Sequence, residues 1–287
     1  MVSKLMTDST FGVSPMAAMG YGILVILGLV VDVGLIIRLR LQPVPWKSRG
    51  GNLATSPWNV EDFGILTGVL IVIHGLSLLL FQPAMRWINV PPDLIDTANF
   101  IMHGITFHLA GICIIFLMVR RRTGCWMPIL KHQIINMTRS IGTGTMFYLA
   151  MLPVVATASL VAYTILTGLG HPVAMQEIAI QLLAMPNFWV RLYAVVLAIV
   201  IGPIFEEALF RGMLLPIIAR HTGTFWAILL TSLGFAAFHM HLPSAATLAT
   251  VAASCAIAYL ATGKLAVAIV MHSLFNAVNL FLLFSTS

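Results

Sequence analysis

The stretch Val200-Ile201-Gly202-Pro203-Ile204-Phe205-Glu206-Glu207-Ala208-Leu209-Phe210-Arg211 carries two adjacent carboxylates and an arginine at the end of an apolar run. The rest of the chain shares that apolar character. Of 287 residues, 60% are hydrophobic and only 8% charged, with a mean hydropathy of +1.00. A soluble domain has roughly 25% charged residues, so this chain is too short of charge to cover a soluble surface. The fold class is therefore an all-α polytopic membrane helix bundle.

A membrane helix needs about 20 mostly apolar residues. Eight candidate spans meet this pattern, at 17–37, 63–82, 100–119, 143–168, 189–210, 224–240, 244–262 and 265–284. The sixth and seventh are short and are separated by a turn at Leu242-Pro243-Ser244. The first is too long and too late for a cleavable signal, and Asp32 interrupts it, so it is expected to stay. The polar connection 121–142 divides the chain into an N-terminal three-span region, 1–142, and a five-span core, 143–287. The segment 170–188, around Gln176 and Glu177, reads as an interfacial helix or an outer loop.

The net charge is +6, but the basic residues are scattered, which argues against a nucleic-acid partner and for the positive-inside rule. With the N-terminus outside, twelve of the fifteen Lys and Arg fall on inner segments; only Lys4, Arg86 and Arg191 fall outside. The expected topology is N-out and C-out. Cys113, Cys125 and Cys255 show no metal spacing and read as small apolar fillers.

Ionisable residues inside a bilayer are expensive and by default functional. Arg211 follows Glu207 by four residues, so the two share a helix face and can pair. That pair could equally be a plain anchor at a helix end. Glu206 points about 100° away and is not neutralised by the pair. Two neighbouring carboxylates push one another toward the protonated form, which suits a general base or acid. Pro203 removes a helix hydrogen bond and, with Gly202, makes room near the carboxylates.

A second constellation is Phe235-Ala236-Ala237-Phe238-His239. The hairpin between its span and the preceding one turns near His221-Thr222-Gly223. Glu206 lies 16 residues before Thr222 and His239 lies 17 after it. In antiparallel helices both sit roughly 25 Å from the turn, at a depth where a carboxylate and an imidazole can hold a water between them. A third is His272-Ser273-Leu274-Phe275-Asn276, whose i, i+4 spacing sets two hydrogen-bond donors on one face. Such a pair wants a common partner and suits a developing oxyanion; the plainer reading is glue between helices. His74, Asp32, His103 and His108 stand at no diagnostic spacing and read as bundle contacts, and His241 as interfacial.

Glu206-Glu207-x-x-x-Arg211, Phe235-x-x-x-His239 and His272-x-x-x-Asn276, in this order on separate apolar helices, resemble the CPBP family, which includes the type II CAAX prenyl endopeptidases and the bacteriocin-processing "Abi" proteases. The resemblance covers roughly residues 187–284. It implies an intramembrane glutamate-type, metal-independent endopeptidase in which Glu206 and His239 activate water, His272 and Asn276 stabilise the oxyanion, and Glu207, Arg211 and Phe235 support the site. The marks of other membrane proteases are missing: the sequence has no His-Glu-x-x-His, no Gly-x-Gly-Asp and no Gly-x-Ser-Gly. Zinc held by Glu206, His239 and His272 is the minority alternative to a cofactor-free site. The expected partners are the lipid bilayer and a membrane-associated peptide or protein, prenylated or not. The expected location is a bacterial plasma membrane, with the site opening toward the cytoplasm. The competing functions are a non-catalytic scaffold or bacteriocin-immunity protein, and a transporter with Glu206 and His239 as a proton relay.

Overall fold

The computed structural model describes residues 14–44, 46–54, 56–124, 137–171, 173–185 and 187–285. Cys125 and Lys131 lie outside them. Every regular element among the described residues is helical. Seven helices are long and apolar enough to cross a membrane, so the chain is an integral membrane protein with the all-α architecture expected from its composition.

Helix α1, Pro15–Leu41, starts on a Ser14 cap with Pro15 in its first turn and ends among Arg38 and Arg40. Helix α2, Trp46–Ala54, is short and was not foreseen. It is pinned by Arg49 Nη1, which donates to the Leu260 carbonyl at 3.4 Å. Helix α3, Val60–Trp87, opens on a capping box in which Asn59 and Asp62 satisfy each other's backbone N–H groups. Asp62 also pairs with Arg122 at 2.6 Å, tying the start of α3 to the end of α4. Helix α4 covers 92–123 and contains a π segment, Gly104–Leu109. Helix α5 is Met137–Gly168, and the interfacial stretch resolves into a short helix α6, Glu177–Ala184.

Helix α7, Phe188–Thr222, runs for 35 residues and contains two π segments, Leu197–Ile201 and Ala208–Leu214. It is longer than the expected 189–210. Glu206 and Glu207 therefore lie in mid-helix rather than at a helix end, because the apolar run resumes beyond Arg211 until Gly223 turns the chain at φ +83°. Helices α8, Thr224–Phe238, α9, Leu242–Thr262, and α10, Leu265–Phe284, complete the chain.

The sixth expected span needs correction. Helix α8 has 15 residues, about 22 Å of rise against a hydrocarbon core of about 30 Å. It stops because Met240 adopts φ +45° and His241 is extended (φ −130°, ψ 98°) as the N-cap of α9, which carries Pro243 in its first turn. The break thus falls at His239–His241, and Leu242 and Pro243 already belong to α9. Among the described residues, seven apolar helices are long enough to cross a membrane and α8, the sixth expected span, is not.

Helix α5 packs against α1, α9 and α10, and α8 lies along α9 and the end of α7. Besides a small cluster around Leu215, Ala227 and Leu260, two larger buried clusters result. One gathers Leu66, Phe205, Met213 and Phe235 beside the carboxylates. The other gathers Tyr148, Leu152, Val251, Cys255 and Met271. Glycines on α4 allow close approach of α7: a Cβ on Gly111 would stand 2.2 Å from the Phe205 ring, and one on Gly104 2.1 Å from the Tyr193 hydroxyl. Small residues at such crossings are what brings membrane helices together.

Candidate active site

Glu207 is completely buried. Its Oε1 accepts from Arg211 Nη1 at 2.8 Å and from His272 Nδ1 at 2.9 Å. Arg211 also donates to the Ala252 carbonyl at 2.7 Å, and its guanidinium lies 5.3 Å from the centre of the Phe235 ring. A charge this deep is tolerable only when paired and hydrogen-bonded. The pair is therefore an internal strut linking α7, α9 and α10, and the reading of a helix-end anchor at the interface does not hold.

Phe235 is the shared packing surface. Its ring lies 4.7 Å from that of His239 and 5.6 Å, edge to face, from that of His272. Its carbonyl accepts from His239 Nδ1 at 2.8 Å. A carbonyl has no proton to give, so Nδ1 must carry the hydrogen. In neutral His239 that leaves Nε2 as a bare acceptor.

Among the described residues, Glu206 has no arginine or lysine partner. His272 Nε2 lies 3.7 Å from its Oε2, and His108 Nε2 lies 4.0 Å from its Oε1. Both distances exceed a hydrogen bond, and the buried Oε2 has no hydrogen-bond partner. Glu206, His239, His272 and Asn276 all line one cavity of ≈ 530 Å³. Its remaining walls are mostly apolar and reach α6 through Met175 and Ile178 and the end of α10 through Leu280 and Leu283.

His272 and Asn276 do not share the common partner expected of them. His272 points its Nδ1 at Glu207, while Asn276 Nδ2 donates to the Ala198 carbonyl at 2.8 Å. The cause lies in α7. The Gly202 N–H bonds to Leu197, five residues back. Continued by one residue, that register would pair the Ala198 carbonyl with residue 203, which is proline and has no N–H. Asn276 supplies the missing donor and keeps its second amide hydrogen.

The N-terminal helices reach the site as well. His103 and His108 both line the cavity, where the sequence had suggested only bundle contacts. Five residues stand about 140° apart on an α-helix, so no shared face was visible. The i→i+5 register of Gly104–Leu109 brings the two round together. The one available signal was their being histidines within an apolar span. Asp32, by contrast, is not among the cavity residues, and His241 contacts Ser244 Oγ at 2.8 Å beside it. Among the described residues, no group of three or more His, Cys, Asp or Glu side chains is arranged to hold a metal ion.

Residues 186–278 match the family model described as type II CAAX prenyl endopeptidase Rce1-like. The match takes in Glu206, Glu207, Arg211, Phe235, His239, His272 and Asn276, and leaves His103 and His108 outside. No curated protein and no solved structure matches this chain.

Proposed function

We propose that this protein is an intramembrane endopeptidase of the CAAX type that cleaves a membrane-associated peptide or protein with water as nucleophile. The matched segment points to a protease. The observation that carries the mechanism is the Glu206 carboxylate: it faces a mostly apolar cavity with no arginine or lysine paired to it among the described residues, and it shares that cavity with His239, whose Nδ1 is committed to the Phe235 carbonyl.

Water sits between Glu206 and His239 Nε2. Glu206 takes one proton as the water oxygen bonds to the peptide carbonyl carbon, and Nε2 accepts a hydrogen bond from the other. The carbonyl electron pair moves to oxygen. The free amide hydrogen of Asn276 and the Nε2–H of His272 receive that oxyanion. For Nε2 to donate, His272 must carry both protons, since its Nδ1–H is given to Glu207. The C–N bond then breaks, and Glu206 returns its proton to the leaving nitrogen. No metal takes part.

We place the protein in a bacterial plasma membrane with both termini outside and the cavity open to the cytoplasm. The distribution of Lys and Arg supports this, with α8 counted as a crossing. The apolar walls toward α6 and α10 suit a prenylated substrate.

The test is cleavage of quenched fluorescent peptides, prenylated and unprenylated, by detergent-purified protein beside Glu206→Gln, with and without a strong chelator. Turnover that survives chelation and vanishes in the variant is expected. Loss on chelation would install the zinc alternative. Folded protein without turnover on any peptide would overturn the enzyme reading in favour of a scaffold.

A further inference from the structure

The matched segment supplies one imidazole beside Glu206 Oε2, and the N-terminal region supplies another beside Oε1. His108 lies on the π segment of α4, far outside residues 186–278. Its Nε2 is 4.0 Å from Oε1, while His272 Nε2 is 3.7 Å from Oε2. The carboxylate is thus flanked on both oxygens.

His108 does not behave as structural glue. A glue histidine spends its ring nitrogens on hydrogen bonds to neighbouring helices. His108 Nδ1 is buried with no partner, and Nε2 faces only the carboxylate. The ring is nevertheless held firmly in place. It sits edge to face against Phe107 at 5.4 Å, His103 at 5.8 Å and Phe205 at 5.6 Å, and Phe205 itself nests on Gly111. Gly202 lies against the pair: a Cβ there would stand 3.6 Å from Glu206 Oε1 and 3.9 Å from the His108 ring, in ordinary contact with both.

His103 is oriented by a separate chain. The Thr106 hydroxyl donates to the Met102 carbonyl at 2.7 Å, so it accepts from His74 Nδ1 at 3.0 Å. Neutral His74 then offers Nε2 as acceptor to His103 Nδ1 at 3.4 Å. The π segment therefore carries a braced pair of imidazoles into the cavity.

We propose that His108 is a positioning residue for Glu206. It stands beside Oε1 in the free protein and draws to hydrogen-bond distance when substrate fills the cavity, fixing the carboxylate so that Oε2 faces the water. Hydrogen bonds of this kind are commonly long in the free enzyme and tighten in the complex. The proposal rests on the peptidase reading, and its test separates the two.

The comparison is His108→Met, of similar size without a donor, against His108→Gln, of similar size with one. Two quantities are read on full-length protein: peptide turnover, and the infrared carboxyl band of Glu206 in the free protein, assigned by its loss in Glu206→Gln. His108→Met should shift that band and lower kcat about 10- to 100-fold, with KM within about two-fold. His108→Gln should recover most of both. A band unmoved in His108→Met, or equal kcat in the two variants at equal thermal stability, would overturn the proposal. A shifted band in a protein whose wild type cleaves no peptide would overturn the peptidase reading and leave the His108–Glu206 coupling standing.

Discussion

His272 Nδ1 lies 2.9 Å from Glu207 Oε1, joining two helices whose residues are 65 apart in sequence. The same oxygen takes the guanidinium of Arg211. The imidazole facing Glu206 is thus oriented by a carboxylate that never reaches the cavity surface. Glu207 braces a neighbour rather than acting on substrate.

Arg211→Met should be among the most damaging changes outside the cavity. It leaves Glu207 with His272 alone and frees the Ala252 carbonyl, at a cost of about 3–5 kcal/mol for breaking a buried pair. Equilibrium unfolding in mixed detergent measures this. Glu207→Gln, which keeps an acceptor for both donors, should lose less. Equal losses would mean that the charge, and not the retained hydrogen bonds, is what matters.

Asn276 and Pro203 should be coupled. Asn276→Ala leaves the Ala198 carbonyl unsatisfied, worth about 1–3 kcal/mol. In a Pro203→Ala background the restored N–H can take that carbonyl, so the cost of Asn276→Ala should shrink by about 0.5–1.5 kcal/mol in a double-mutant cycle. Strict additivity would show that the carbonyl has no bearing on Asn276.

Gly111→Ala drives a methyl into the Phe205 ring and should cost about 1–3 kcal/mol. It should also reduce turnover, because the same ring supports His108. Gly68→Ala, with nothing within 4 Å of its new Cβ, serves as the control and should be neutral or slightly stabilising. Thermal melts of both variants decide it.

Gln176 Nε2 donates to Ser244 Oγ at 2.8 Å, fastening the approach to α6 against the start of α9. Gln176→Leu removes a bond worth about 0.5–1.5 kcal/mol. Amide exchange in 173–185 should quicken by roughly 2- to 10-fold, with little change in α9. Unchanged exchange would show that apolar packing alone holds α6 down.

Much of this was legible from residues alone. Hydropathy located seven of the helices to within a few residues at most ends. The depth comparison about Thr222 brought Glu206 and His239 to one cavity, because it needed only antiparallel helices and a constant rise. The Glu207–Arg211 pair followed from its i, i+4 spacing. What escaped notice depended on departures from that constant rise. The π register of Gly104–Leu109 hid His103 and His108, since counting at 100° per residue puts them on different faces. The partner of Asn276 was a backbone carbonyl freed by a proline on another helix, which no side-chain pattern reveals. The sixth span reads as short from the sequence too, but its break reads at 242–244 instead of 239–241, because Phe238, Met240 and Leu242 keep the stretch apolar across it.

The π segments also bear on how this sequence can change over time. Each accommodates one residue beyond the α-helical count, as an insertion would. Losing a single codon within Leu197–Ile201 would let the helix revert to regular winding with Glu206, Glu207 and Arg211 still on the same face, because the widened turn had absorbed the extra residue. A deletion in the regular turns beside it has no such reserve and would swing all three side chains by about 100°. The widened turn is therefore where this helix tolerates a change of length, and the regular turns are where it does not.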